Sequence, residues 1–169
     1  MVMRNRMSVV GAAVIAVLAL TIPSAEAAST PPAGFLPNAK RTPGATNGAV
    51  TQATIYRTIC VRGYTTRIRP PESYTYALKR NQLASGYAYH GIMSTSFYEE
   101  DHLIALELGG APRDPKNLWP EPYAGPYGAH VKDKLENRLH VLVCNGSMAL
   151  RTAQHLIATN WYAAYLRYG

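Results

Sequence analysis

The sequence has few cysteines, few acidic residues and no internal repeat. Its 169 residues include two cysteines, and isolated cysteines lack the paired spacing of zinc sites, so a cysteine-bound structural zinc is not expected. The apolar run from Ser8 to Leu20 is shorter than the ~20 residues that span a bilayer. No repeat or long low-complexity tract divides the chain. These absences favour one small domain without a cysteine-bound metal.

The first 27 residues have the pattern of an export signal. Arg4 and Arg6 precede the apolar run, and Ala25 to Ala27 places small residues at the two positions read at a cleavage site. We therefore expect cleavage after Ala27 and a secreted or cell-envelope protein without stable membrane association. A retained N-terminal anchor is the alternative.

Export changes how the two cysteines are interpreted. Cys60 and Cys144 form an even pair in a chain predicted to reach an oxidising compartment, so we predict a disulfide between them. Closing a loop of that length removes about 4–5 kcal/mol of unfolded-state entropy in the simplest treatment. The bridge would join an early segment to the end of a later helix.

The chain is basic, with 17 lysines and arginines against 10 acidic residues and a formal net charge of +7. The balance stays positive without the predicted leader. Positive charge favours negatively charged partners, with nucleic acid first and anionic wall or membrane polymers second. Because many basic secreted proteins have no such partner, charge alone does not select one.

Composition divides the mature chain into an arm and a domain. Residues 28–49 are rich in proline, glycine, alanine, serine and threonine and predict a flexible arm, so a single domain would span residues 50–169. Within it, the alternating, β-branched residues 53–70 predict one or two strands, and residues 72–84 predict a short helix. This part would form an N-terminal β/α extension.

The second half of the domain predicts a strand, a loop, a strand and two helices. Residues 97–108 predict a strand before Gly109-Gly110, and residues 117–119 predict a short return strand. Residues 129–144 have helical spacing. The predicted apolar stripe of this helix comprises Val131, Leu135, Leu139 and Leu142. The last helix would pack through Leu150, Ala153, Ile157, Trp161 and Ala164.

The opposite face of the predicted helix 129–144 is polar. It carries His130, Asp133, Asn137 and His140, with Glu136 at its border. Asp133 with Asn137, or His140 one turn beyond Glu136, would suit ligation of one ion. A solvent-exposed face has the same pattern, so the helix alone does not distinguish the two interpretations.

The preceding strand ends in a pair of residues suited to hydrolysis. Phosphodiester hydrolysis needs a base to activate water and positive charge on the phosphate in the transition state. The ordinary pKa of a histidine suits the base role. Because Asp101 and His102 are adjacent on a strand, their side chains would point to opposite sides, so one could hold an ion while the other faces water.

These residues resemble the HNH nucleases, whose fold is the ββα-metal motif. The steps Asp101-His102-Leu103-Ile104, Gly109-Gly110 and Asn117-Leu118 follow the family's order and approximate spacing, and the resemblance covers about residues 98–144. The chain is more closely similar to small secreted bacterial proteins of this group that share DHLI-LELGG, NLWPE, KD--EN and paired cysteines. The resemblance implies an α+β fold, in which an HNH-like core carries the N-terminal extension and a C-terminal packing helix.

The resemblance also implies roles for individual residues. His102 would be the general base, Asn117 would orient His102 and close the loop, and Asp101 would be the first metal ligand. Asn137 is our choice for the helix-borne ligand, with Asp133 and Glu136 as the main alternatives. His130 and His140 lie within one or two turns of it. Lys116, Lys132 and Arg138 would bind phosphates.

The ligand types set the expected metal. Oxygen-dominated ligands favour Mg²⁺ or Mn²⁺ over zinc. With the leader pattern, the resemblance therefore implies a secreted, metal-dependent endonuclease of low sequence specificity that acts on DNA, with RNA as a further candidate substrate. The alternative is a noncatalytic basic domain that binds nucleic acid or an anionic cell-wall polymer.

Overall fold

A computed structural model describes residues 31, 32 and 34–169. The predicted signal peptide, residues 1–27, lies outside this part. The described chain is α+β, as predicted from the sequence. It contains a two-stranded antiparallel sheet, β1 (Tyr98–His102) and β2 (Leu118–Pro122), and four helices, α1 (Tyr64–Ile68), α2 (Glu72–Gln82), α3 (Ala129–Cys144) and α4 (Leu150–Tyr168).

The two strands form a hairpin with a long, folded connection. Asp101 pairs with Trp119 and His102 with Leu118. The first strand is shorter than predicted because the chain leaves the ladder after His102 and forms a short 3₁₀ turn at Leu106–Leu108. The second strand runs past Pro120, which has no N–H to donate and is tolerated on an edge strand.

Close packing fixes the turn between the strands. Gly109 has a φ of 75°, in the left-handed region that favours glycine. A Cβ at Gly110 would collide with the carbonyl oxygen of Ile104. The Gly-Gly step therefore lets the connection fold back tightly on the end of β1.

The core lies between the hairpin connection, α3 and α4. The predicted bounds of α3 are confirmed, and so is the buried face of α4. The buried stripe of α3 differs from the prediction, since Val131 and Leu142 are only half-buried while Lys132 and Val143 are buried. The stripe is rotated because a charged side chain, Lys132, enters the interior.

The prediction of one or two strands over residues 53–70 is wrong. These residues form a 3₁₀ turn at Ile55–Arg57 and then α1. Ile55 and Ile59, four residues apart, are both buried in the core cluster. The chain therefore meets the core through helix-like spacing, and no strand of the described residues pairs with this segment.

Part of the predicted flexible arm packs on the hairpin connection. The backbone N–H of Gly44 donates to the carbonyl of Lys116 at 2.9 Å, and that of Asn47 donates to Gly109 at 2.8 Å. Thr42 is buried. Proline- and glycine-rich composition indicated the irregular backbone of residues 34–49 but not these pairings, which depend on the distant loop.

The predicted disulfide is confirmed. Cys60 and Cys144 are bonded, with a Cα–Cα distance of 5.6 Å and a sequence separation of 84. The bridge ties the turn before α1 to the last residue of α3.

Within residues 31–169 as described, none of the helices combines the length and apolar character that a bilayer crossing requires.

Candidate functional site

The end of β1 presents two chemically different side chains to two sides of the hairpin. Asp101 contacts Lys132 of α3. His102 lines a cleft together with residues of α2 and the segment before it. This arrangement follows from the alternation of side chains along a strand.

His102 is held in one tautomer. Its Nε2 lies 3.0 Å from the carbonyl oxygen of Pro112, which can only accept, so Nε2 carries the hydrogen and Nδ1 keeps a free lone pair. Burial lowers the pKa of His102, against the opposing effect of the Asp101 carboxylate. A neutral imidazole with one unprotonated nitrogen is the form that a general base requires.

Asn117 closes the connection that carries Pro112. Its Oδ1 accepts the N–H of Ile104 at 2.9 Å, and its Nδ2 donates to the carbonyls of Ile104 at 3.0 Å and Ala111 at 3.2 Å. The side chain is fully buried. Asn117 therefore fixes the loop whose carbonyl orients His102, and it acts on the imidazole through that loop.

Lys132 is an interior cation. Its Nζ lies 2.5 Å from Oδ2 of Asp101 and 2.9 Å from the carbonyl oxygen of His102, and it also donates to the Glu136 carboxyl. Oε2 of Glu121 lies 4.0 Å away. Three acceptors use the three hydrogens of the ammonium. Lys132, predicted to bind phosphate, is instead 0 % exposed because these oxygens surround it.

The carboxyls around Lys132 differ in protonation. Burial acts to raise the pKa of Asp101, but the charge of the Lys132 ammonium and its hydrogen bond to the carboxylate hold that pKa below its usual value. Burial raises the pKa of Glu121 well above its ordinary range and that of Glu136 to about 8. Neither carboxyl oxygen of Glu121 has a hydrogen-bond partner among the described residues, which agrees with a carboxyl that burial keeps protonated.

The other predicted metal ligands lie away from this cluster or are engaged elsewhere. Asn137 is exposed, and its Nδ2 donates to the carbonyl of Asp133 in its own helix at 2.8 Å. Asp133 faces Nδ1 of His130 at 3.7 Å near the surface. Nε2 of His140 donates to the carbonyl of Ile59 at 3.0 Å. Of the predicted metal ligands, only Asp101 and Glu136 lie in one cluster, where both carboxyls contact the Lys132 ammonium between them.

The donor set around Asp101 does not fit a divalent ion in this arrangement. An ion ligated by Asp101 and Glu136 would have to take the position of the Lys132 ammonium. Elsewhere in the described residues, Cys60, His140 and Cys144 offer ligand atoms within 4.8 Å of one another. The two sulfurs are bonded to each other, so they do not present a pair of thiolates.

The cleft beside His102 has a volume of about 300 Å³. Arg69 and Lys79 bring positive charge to it, and the exposed rings of Tyr76 and Tyr123 also border it. The Lys79 ammonium donates to the carbonyl of Tyr98 at 2.8 Å. Three glutamates, Glu72, Glu99 and Glu100, line it as well. The cleft therefore combines a histidine, two cations, three carboxyls and aromatic surface at a size that admits a nucleotide-sized group.

Sequence reasoning missed three residues of this region: Arg69, Lys79 and Glu121. Glu121 belongs to the NLWPE stretch, where a charge within an apolar strand was an available signal. Arg69 and Lys79 lie outside residues 98–144, which carry the resemblance, and only the tertiary fold brings them to the cleft beside His102. Two predicted phosphate-binding residues, Lys116 and Arg138, are exposed and do not line the cleft.

Comparison of the chain with protein-family models, with curated proteins and with solved structures finds no match.

Proposed function

We propose that the protein is a secreted endonuclease of the HNH type that hydrolyses phosphodiester bonds in DNA and RNA with low sequence specificity. The observation that carries the proposal is the 3.0 Å contact between Nε2 of His102 and the carbonyl oxygen of Pro112, which leaves Nδ1 as the unprotonated nitrogen of a histidine that lines a cleft with Arg69. The resemblance of Asp101-His102, Gly109-Gly110 and Asn117-Leu118 to HNH nucleases supports it. Export is supported by the leader pattern and by the disulfide.

The proposed reaction is an in-line hydrolysis. Nδ1 of His102 takes a proton from a water molecule while the water oxygen forms a bond to phosphorus. The bond between phosphorus and the leaving sugar oxygen breaks, and that oxygen takes a proton from solvent. The imidazolium then loses its proton to solvent, so the base is regenerated. General base catalysis of this kind contributes about 10²–10⁴-fold in rate.

The Mg²⁺ or Mn²⁺ ion expected from the resemblance would supply positive charge on the phosphate. The Asp101 and Glu136 carboxyls that would hold such an ion are engaged by Lys132. In this proposal, Asn117 keeps the loop closed and Pro112 holds the imidazole.

Nicking of supercoiled plasmid tests the proposal. The parent is expected to convert supercoiled to open-circular DNA and to cleave a labelled RNA, while His102→Ala loses at least about 100-fold of the rate. His130→Ala is the matched control, since His130 is an exposed histidine of α3 that does not line the cleft. Parental rates in His102→Ala would remove the base assignment.

The second candidate function is binding of nucleic acid without cleavage. It is favoured by the formal net charge of +7 and by an Asp101 that is already neutralised by Lys132. The test is cleavage and binding of DNA and RNA by the parent in Mg²⁺, Mn²⁺, Zn²⁺ or chelator. If the parent cleaves neither nucleic acid but binds both with an affinity that falls as salt rises, this second function holds.

A further inference from the structure

We infer that the Lys132 ammonium takes the place of a divalent ion beside Asp101 and that the Arg69 guanidinium binds the scissile phosphate, so that cleavage proceeds without a metal ion. The inference rests on the proposed function and specifies which positive charges serve the site. Its first part follows from the contacts of Lys132. Its second part follows from the Arg69 side chain, which has no hydrogen bond or ion pair among the described residues and lines the cleft.

The shell around Lys132 is complete. Its three N–H groups meet the Asp101 carboxylate, the carbonyl of His102 and the Glu136 carboxyl, with Glu121 behind them. A divalent ion held by the same oxygens would lie next to the positively charged Lys132 ammonium. The repulsion between the two cations would be strong, because the protein interior screens charge weakly. Displacing the ammonium would leave a buried cation without acceptors, which is unfavourable.

Lys132 cannot reach the substrate in this role. All its hydrogens are used, and the side chain is fully buried, so it is a positioning residue that holds Asp101 and the end of β1 in place. Positive charge on the phosphate must then come from the cleft. Lys79 already donates to the carbonyl of Tyr98.

Arg69 is the available cation. It lines the cleft with His102, is exposed, and has no side-chain hydrogen bond or ion pair among the described residues. The N–H groups of a guanidinium can donate two parallel hydrogen bonds to two oxygens of one phosphate. Such a charged, bidentate interaction is stronger than a hydrogen bond between neutral groups. Burial lowers the pKa of His102, and the charge of Arg69 adds to that effect, which is consistent with their proximity.

Metal dependence is the first test. The parent is expected to nick plasmid in excess EDTA at a rate within threefold of that in Mg²⁺. Activity that is lost at least 100-fold with chelator and restored by Mg²⁺ or Mn²⁺ would overturn the inference while leaving the proposed function in place. No cleavage under any of these conditions would overturn both.

Binding of Mn²⁺ gives a readout that does not depend on activity. Titration calorimetry of the full chain is expected to show no stoichiometric binding to the parent. Lys132→Ala, confirmed as folded by circular dichroism, is expected to bind one Mn²⁺ because three carboxyls then lack their cation. One equivalent bound by the parent and lost in Asp101→Asn would contradict the inference whether or not Lys132→Ala folds.

The role of Arg69 is tested by kinetics against a neighbour. Arg69→Ala is expected to lower kcat/KM about 100-fold, with partial recovery in Arg69→Lys. The control is Arg67→Ala, because the Arg67 guanidinium lies 5.8 Å from the Tyr64 ring centroid and does not line the cleft. Equal losses in both alanine variants, or no loss in Arg69→Ala, would remove Arg69 from the site.

Discussion

The Nζ of Lys132 lies 2.5 Å from Oδ2 of Asp101 in the interior of the protein. This ion pair joins the end of β1 to the second turn of α3, so the strand that carries His102 and the helix behind it are held as one unit. Glu121 and Glu136 complete the cluster and are protonated more readily than ordinary glutamates because burial raises their pKa.

Removing the cation from this cluster is expected to destabilise the fold strongly. Lys132→Met should lower the free energy of unfolding by about 3–5 kcal/mol, since the largely buried Asp101 carboxylate would be left without its partner. Lys134→Met, a change at an exposed lysine of the same helix, should change it by less than about 0.5 kcal/mol. Urea denaturation measures both, and equal midpoints would show that the buried pair contributes nothing.

The hydrogen bonds of Asn117 predict a second loss of stability. Asn117→Ala should cost at least ~2 kcal/mol, because the N–H and carbonyl of Ile104 and the carbonyl of Ala111 lose their partner in the interior. Asn137→Ala is the control, as its amide is exposed. Denaturation midpoints that fall equally in the two variants would mean that Asn117 does not close the loop.

Loss of the disulfide is expected to destabilise the chain by about 2–5 kcal/mol, since the bridge closes a long loop. The double variant Cys60→Ala/Cys144→Ala should show this drop in thermal unfolding. The parent treated with a dithiol reductant should match the double variant. A reduced parent with an unchanged Tm would contradict the structural role of the bridge.

Glu100 is expected to make the folded protein less stable as the pH rises. Both its carboxyl oxygens are buried without hydrogen bonds, and burial raises its pKa to about 9, against the charge of Lys79. A raised folded-state pKa contributes stability that is complete below the ordinary value of 4.5 and is lost as the pH rises towards 9.

Glu100→Gln should therefore be more stable than the parent at pH 8, by about 1–3 kcal/mol, and equal to it at pH 4. Unfolding curves at the two pH values measure the difference. Glu72→Gln, at an exposed glutamate of α2, should show no such dependence. A parent that is the more stable of the two at pH 8 would mean that Glu100 has a charged partner there.

The hairpin and the last two helices could be predicted because their signals are local. Asp101-His102, the Gly-Gly turn and Asn117-Leu118 mark the two strand ends, and apolar spacing marks α3 and α4. Residues 53–70 were misread because β-branched alternation predicts a strand only where a neighbouring strand exists to pair with it.

The interior of the site could not be read in the same way. A helical-wheel argument leaves a lysine outside, whereas Lys132 is buried by carboxyls that lie 31 residues before it at Asp101 and elsewhere at Glu121. Arg69 reaches the cleft through the packing of α2 against the hairpin. Both positions depend on tertiary contacts that no local pattern encodes.

The most direct test of the account is chemical rescue of the proposed base. Single-turnover cleavage of an end-labelled oligonucleotide should be at least about 100-fold slower in His102→Ala than in the parent, and added imidazole should restore part of the rate. The same addition should leave the parent and His130→Ala unchanged. Cleavage by His102→Ala at the parental rate, without imidazole, would contradict the central claim that His102 activates the attacking water.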